Sequence, residues 1–377
     1  MKTARLILDN GMIFEGKSIG ADTTMFGELV FNTSMTGYQE VLSDPSYASQ
    51  VVVMTYPEIG NTGINDFDFE GNGAFARGIV VKNYCENESH YLSEKTLSQF
   101  LIEKGIAGIS GVDTRKLTKI LRASQTVNCV ITTEQVTDKL IDELSRYKTG
   151  KDLVLYVSRK NVEYFENLST SEKVVNVAMI DFGVKNSLIN DMRKQGYSLT
   201  VYPADVDAET ILSKNFDAVF LSNGPSNPAD CVEQIETVKK LVGKLPIFGI
   251  GLGHQLLGLA NGAKTYKLPQ GHRGSNHPVK DLRTGKVILT SQNHGYAIES
   301  NWENNKISIT HKNLNDETIE GFESESLKIY GLQYQPQAIN SSSDATPVLE
   351  EWFLKILAFK KASTTSDTNI LVSTENK

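Results

Sequence analysis

The hydrophobic positions follow two regimes that change near residue 174. Before it, short apolar runs at 5–8, 29–31, 50–54 and 78–81 are cut apart by turn residues such as Asp44-Pro45-Ser46 and Gly60-Asn61-Thr62-Gly63. Runs of that length between Gly, Pro, Asn and Asp clusters predict strands. Two stretches, 94–104 and 114–122, read as helices instead. The first carries Leu97, Phe100 and Leu101 at helical spacing. Asp113 is placed to cap the second. This half, taken as 1–155, predicts an α+β domain. The stretch 156–173 is polar and aperiodic, and reads as a linker.

From Val174 the pattern alternates. An apolar strand at 174–180 leads to a helix from Ser187 to Lys194, with Gly196 as its expected C-cap. Strands at 199–202, 218–221 and 246–250 alternate with helices near 208–213 and 232–242. Such alternation predicts an α/β fold, a doubly wound parallel sheet covered by helices on both faces, here taken as 174–360. Ligands of these sheets bind beyond the carboxyl ends of the strands. The segment 264–299 is β-like again, with Gln292-Asn293-His294-Gly295 at an expected turn. The Ser/Thr-rich tail 361–377 lacks apolar periodicity and is expected to be disordered.

One strand end carries the sharpest local signal. Phe248-Gly249-Ile250-Gly251-Leu252-Gly253-His254-Gln255 runs from an apolar strand through a glycine-flanked turn into a helix. That is the pattern of a nucleophile elbow, whose central residue normally offers a reactive side chain. Here the central residue is Gly251, which has none.

Composition narrows the class. The net charge of −7, with no offsetting basic tract, argues against a nucleic-acid partner. Three scattered cysteines, Cys85, Cys129 and Cys231, form neither a disulfide framework nor a metal pattern. No apolar run approaches the roughly 18 residues that span a bilayer, so no membrane partner is expected. Asp9 and Asn10 interrupt the first apolar run, which leaves it too short for a signal peptide. A cytoplasmic location is expected. His254, His272, His277 and His294 lie near the elbow motifs in sequence. No pair has the i, i+4 spacing of helical ligands, so no metal site is expected.

The motifs then identify a family. The run Gly27-Glu28-Leu29-Val30-Phe31-Asn32-Thr33-Ser34-Met35-Thr36-Gly37-Tyr38-Gln39-Glu40 resembles the small, glutaminase subunit of carbamoyl-phosphate synthetase. So do Asp44-Pro45-Ser46-Tyr47, Thr55-Tyr56-Pro57 and Gly111-Val112-Asp113-Thr114-Arg115. In the second half the resemblance continues through Gly271-His272-Arg273-Gly274, Asn276-His277-Pro278-Val279 and Gln292-Asn293-His294-Gly295-Tyr296. It covers nearly the whole chain apart from the tail.

The resemblance implies a class I glutamine amidotransferase domain that hydrolyses glutamine with cysteine, histidine and glutamate. The cysteine attacks the amide, the histidine generates its thiolate, and the glutamate orients the histidine. The three positions carried over onto this sequence are Gly251, Gln335 and Gln337, so no catalytic residue is intact. Glycine cannot attack, a glutamine is no base near neutral pH, and Gln337 has no charge for an imidazolium. Loss of one member of such a unit can cost about 10⁶-fold in rate.

The glutamine contacts implied by the resemblance are Ser46, Gly224, Ser226, Leu252, Gln255, Asn293, Gly295 and Tyr296. The backbone N–H groups of Gly224 and Leu252 would form the oxyanion hole. Ser226 stands where the family has glycine. The implied partner is a large synthetase subunit, and ATP and divalent metal belong to that subunit, with no cofactor in this chain. The expectation is a pseudo-glutaminase with a structural or regulatory role beside an ammonia-using large subunit, in arginine or pyrimidine biosynthesis. A stand-alone glutamine-binding sensor is the second reading. A relocated nucleophile at Cys231, Ser222 or Ser226 is the third.

Overall fold

The computed structural model describes residues 2–124, 126–336 and 347–374, with side chains of the last helix as far as Ala362. The early apolar runs close into a barrel. Its strands are β1 (Thr3–Leu8), β2 (Ile13–Ser18), β3 (Thr24–Asn32), β4 (Gln50–Met54), β5 (Gly78–Val80), β6 (Ala107–Ser110) and β7 (Asn128–Thr132), in the order β1-β2-β6-β5-β4-β3-β7. Closure leaves no exposed edge to pair with another chain.

Alternation along β4 divides its side chains between two cores. Val51 and Val53 pack with Leu6, Leu29 and Ile109, while Val52 and Met54 face Leu42 of α1 (Tyr38–Ser43) and Phe100 of α2 (Leu97–Glu103). α2 begins later than its apolar spacing predicts because Thr96 caps it. The Thr96 hydroxyl accepts from the Gln99 N–H, and the Gln99 side chain accepts from the Thr96 N–H. α3 (Thr114–Ala123) is capped as expected, with Lys116 N–H donating to Asp113 at 2.9 Å. α4 (Asp138–Arg146) lays Leu140 and Leu144 over Val130 of β7.

The expected linker is built into the second domain. After α5 (Leu153–Val157), β8 (Glu163–Phe165) pairs antiparallel with Tyr197–Pro203 and forms one edge of the sheet. Arg159 fixes this segment, its backbone N–H and guanidinium both donating to buried Asp181, at 2.9 and 3.1 Å, and its Nε donating to Glu163 at 3.0 Å. A three-residue strand is too short to show a period, which is why the sequence hides it.

The second domain alternates β9 (Val175–Asp181), α6 (Asn186–Gln195), β10 (Tyr197–Pro203), α7 (Ala208–Leu212), β11 (Ala218–Leu221), α8 (Val232–Leu241), β12 (Ile247–Ile250) and α9 (Leu252–Ala260). β13 (Thr265–Asp281), β14 (Val287–Ile298), β15 (Ser308–Asn313), β16 (Ile319–Ser324) and β17 (Ile329–Leu332) follow, then α10 (Pro347–Thr374). The ten strands run β8-β10-β9-β11-β12-β17-β16-β15-β13-β14, parallel from β10 through β17 and antiparallel beyond. One face packs Met179, Phe220 and Phe248 against Trp352, Phe353 and Ile356 of α10, and the other packs Ala178, Ile180 and Val219 against Val238 of α8 and Leu256 of α9.

One further expectation is corrected. Gln292-Asn293-His294-Gly295 is no turn but the interior of β14, paired with Gly274, Arg273 and His272 of β13. Its Asn and Gly residues mimic a turn signal, while register shifts in β13 absorb the irregular pairing. α10 runs from Pro347 to Thr374. Neither proline nor glycine follows Pro347 to stop the helix.

Candidate functional site

The elbow forms where the sequence places it. β12 ends at Ile250, Gly251 turns with φ 58° and ψ −113°, and α9 starts at Leu252. The flanking glycines are required by close approach. A Cβ at Gly249 would meet the Gly253 carbonyl oxygen at 2.7 Å, and one at Gly253 would meet the Leu221 oxygen at 2.2 Å. At Gly251 itself a Cβ would stand 3.2 Å from the Asn223 Cβ, tight but possible. At its positive φ a side chain there would also be strained. Leu252 brings the first N–H of α9 to this point, in the position where helix termini receive negative charge.

Gln335 reaches the same place from beyond β17. Its N–H donates to the Ser291 carbonyl at 2.9 Å, and its side-chain oxygen accepts from Lys185 Nζ at 3.2 Å. Gln337 lies outside the described residues. Lys185 is only 2% exposed and stands between domains, with Nζ 3.1 Å from Glu70 and 3.9 Å from Asp44 of the barrel domain. Burial pulls its pKa down, but Glu70 and Asp44 outweigh burial and hold it above the ordinary lysine value. Burial pushes the Asp44 carboxyl up, against the pull of Lys185.

All eight positions assigned to glutamine contact line one cleft together with Gly251 and Gln335. Both domains build it. Ser46 accepts from Asn223 Nδ2 at 3.0 Å, and Asn293 donates to Asp44 at 3.2 Å. Gln255 Nε2 donates to the Tyr296 carbonyl at 2.7 Å and to Gln333 at 2.9 Å. Ser226 keeps a glycine-like backbone at φ 102°, and its hydroxyl is buried without a partner among the described residues. Holding a serine there is strained by about 1–3 kcal/mol.

Two of the three replacement nucleophiles are poorly placed. Cys231 packs in the core with Val238 and Leu252, and burial, then Asp230, push its thiol up to about 12. A thiol so protonated does not attack. The Ser222 hydroxyl is committed, accepting from the Phe182 N–H at 2.9 Å and donating to the Asn223 carbonyl at 2.8 Å. His254, in the first turn of α9, is fully buried, packs tilted against the Phe322 ring and has the Gly331 backbone beside it. Burial pulls its pKa down to about 3.

Sequence reasoning missed Lys185, Glu70 and Gln333 as parts of this site. Lys185 left one signal, its place just past the carboxyl end of the first parallel strand. Glu70 left none, because it arrives from a barrel-domain loop.

The domain family described as carbamoyl-phosphate synthase small chain matches residues 6–131, and the class-I glutamine amidotransferase family matches residues 178–356. The small chain from Clostridium perfringens is 45% identical, over 93% of this chain and 98% of its own length. The small chain from Clostridium acetobutylicum is 42% identical, over 92% and 98%. The pyrimidine-specific small chain of Bacillus subtilis is 41% identical, over 95% and 97%. With both domains matched and relatives aligned along almost its full length, the chain belongs to the carbamoyl-phosphate synthase small-chain family.

Proposed function

We propose that this chain is a small subunit of carbamoyl-phosphate synthase that does not hydrolyse glutamine, and that it serves a large, ammonia-using subunit in a structural or regulatory role. The observation that carries this reading is the elbow at Gly251. Its backbone is formed and the cleft beside it is built, yet no nucleophile stands on it. Gln335 supports the same reading, because it is held as a hydrogen-bond acceptor for Lys185 and offers no basic nitrogen. The names of the relatives, small chains of a synthase, support a large partner chain.

The cleft favours retained glutamine binding. Main-chain donors at Gly224 and Leu252 do not depend on side-chain identity, and Gln255, Asn293 and Tyr296 remain in place. Bound glutamine would then report amino-acid supply without being consumed. A stand-alone sensor is the second reading, favoured by the same cleft and separated from the first by the partner.

Two assays on the purified full chain test the proposal. Ammonia release from glutamine is expected to be absent, and a large synthase subunit is expected to co-purify when the two are co-expressed. Glutamine hydrolysis by the isolated chain would overturn the pseudo-glutaminase. Glutamine binding with no association would favour the sensor.

A further inference from the structure

Arg273 of β13 pairs in register with Asn293 of β14 and lines the cleft together with Ser46, Gly295 and Tyr296. Only 6% of it is exposed. Its head group occupies a slot that two glycines leave open. A Cβ on Gly271 would collide with Nη1, and one on Gly295 would stand 3.2 Å from Nη2. Its main chain is tied to the barrel domain, because the Thr33 N–H donates to the Arg273 carbonyl at 3.2 Å. The guanidinium is therefore held in place at the seam between the domains.

Held there, it lacks a counterion. A guanidinium stays charged and offers several N–H donors. Among the described residues one acceptor meets them, the Gln270 carbonyl at 3.2 Å from Nη1, while Nε is buried with no partner. No carboxylate of the described residues lies within ion-pair distance. Glu28, whose charge does reach Arg273, is already paired with Lys267 at 2.8 Å. Asp44 and Glu70, the other acids of the seam, hold Lys185. Glu28 and Lys267 cancel, so this wall of the cleft keeps one positive charge in excess, and a buried charge without a partner is costly. Other donors are unspent too. The Ser46 hydroxyl accepts from Asn223 and has no acceptor for its own hydrogen among the described residues, and Gln333 Nε2 is buried without a partner. All three side chains line the one cleft. Unspent donors around a cation are the complement of a carboxylate.

We infer that Arg273 is a specificity-determining residue, which receives the free α-carboxylate of the amino acid bound in the cleft. The inference rests on the reading that the cleft still binds glutamine. The side-chain amide of that ligand is assigned to the N–H groups of Gly224 and Leu252, which leaves its carboxylate to the wall built by Arg273, Ser46 and Gly295. Binding then supplies the missing counterion and takes up the unspent Nε donor. A glutamine inside a peptide has no such carboxylate, so the cleft reads the free amino acid. The sequence could not announce this role, because the pairing of β13 with β14 is what carries Arg273 to the cleft.

Isothermal calorimetry on the purified full chain tests this with two probes, L-glutamine and L-glutaminamide, which lacks the carboxylate. Wild type is expected to bind glutamine about tenfold or more tightly than glutaminamide, and Arg273→Gln to lose about tenfold for glutamine while changing little for glutaminamide. Thermal melts without ligand check folding, and removal of an unneutralised buried cation should leave the melting temperature of Arg273→Gln at or above that of wild type. An equal loss for both probes marks a merely structural role and overturns the inference. Unchanged glutamine affinity in the variant overturns it too, and leaves the reading of a glutamine-binding cleft standing. Equal affinity of wild type for the two probes overturns it whatever the variant does. If wild type binds no glutamine at millimolar concentration, the cleft reading itself falls and the inference falls with it.

Discussion

At Gly251 the backbone holds a conformation that strains any residue with a Cβ. Gly251→Ala is therefore expected to lower stability by about 1–2 kcal/mol, read as a shift in the urea midpoint at unchanged slope. Gly251→Cys restores a thiol but no base, since Gln335 remains an acceptor for Lys185. Its ammonia release from glutamine should stay at background, and measurable turnover would show that some other group activates the thiol. Lys185 is the opposite case, a residue whose charge matters more than its shape. Removing it strands Glu70 and Asp44 in the domain interface. Lys185→Met should cost about 3–5 kcal/mol, and a loss below 1 kcal/mol in denaturant titration would mean the cluster is not held together by that charge.

At the scale of elements, α9 carries a pH dependence. Its fully buried His254 has a pKa near 3 against an ordinary 6.5. The unfolded chain therefore binds the proton first as pH falls below 6.5. Stability from this group is complete above 6.5 and is lost as pH drops towards 3. His254→Leu keeps the bulk and gives up at most a weak contact with the Gly331 backbone. Its stability should match or exceed wild type at pH 7, and its advantage should widen below pH 6, as thermal melts across that range would show. Parallel acid limbs would contradict the assignment. The alternating first part of the second domain was legible because its parallel strands are mainly apolar, unbroken in Ala218–Leu221 and interrupted by Asn176 in the first of them. β8 was not, being three residues long, and neither was the interior of β14, where Asn293 and Gly295 look like a turn but serve the cleft. Barrel closure was equally hidden, because it depends on pairings such as Leu6 with Ile131 that lie far apart in sequence.

For the whole molecule, the cleft belongs to neither domain alone. Ser46 and Asp44 come from the barrel domain, while Asn223, Asn293 and Lys185 come from the sheet domain, and the two sets are joined by hydrogen bonds and the buried ion cluster. That these eight positions share one cleft was readable only through the resemblance to a family, since nothing in local pattern brings residue 46 to residue 293. Glu70 shows the limit of that reading, because its role depends on the interface and not on a motif. The central claim is that this assembled site no longer feeds nitrogen from glutamine. It is tested most directly by carbamoyl-phosphate synthesis in the co-purified complex with its large subunit, assayed with glutamine and with ammonium as alternative donors. The account predicts synthesis with ammonium and none above background with glutamine. Glutamine-driven synthesis at a comparable rate would contradict it.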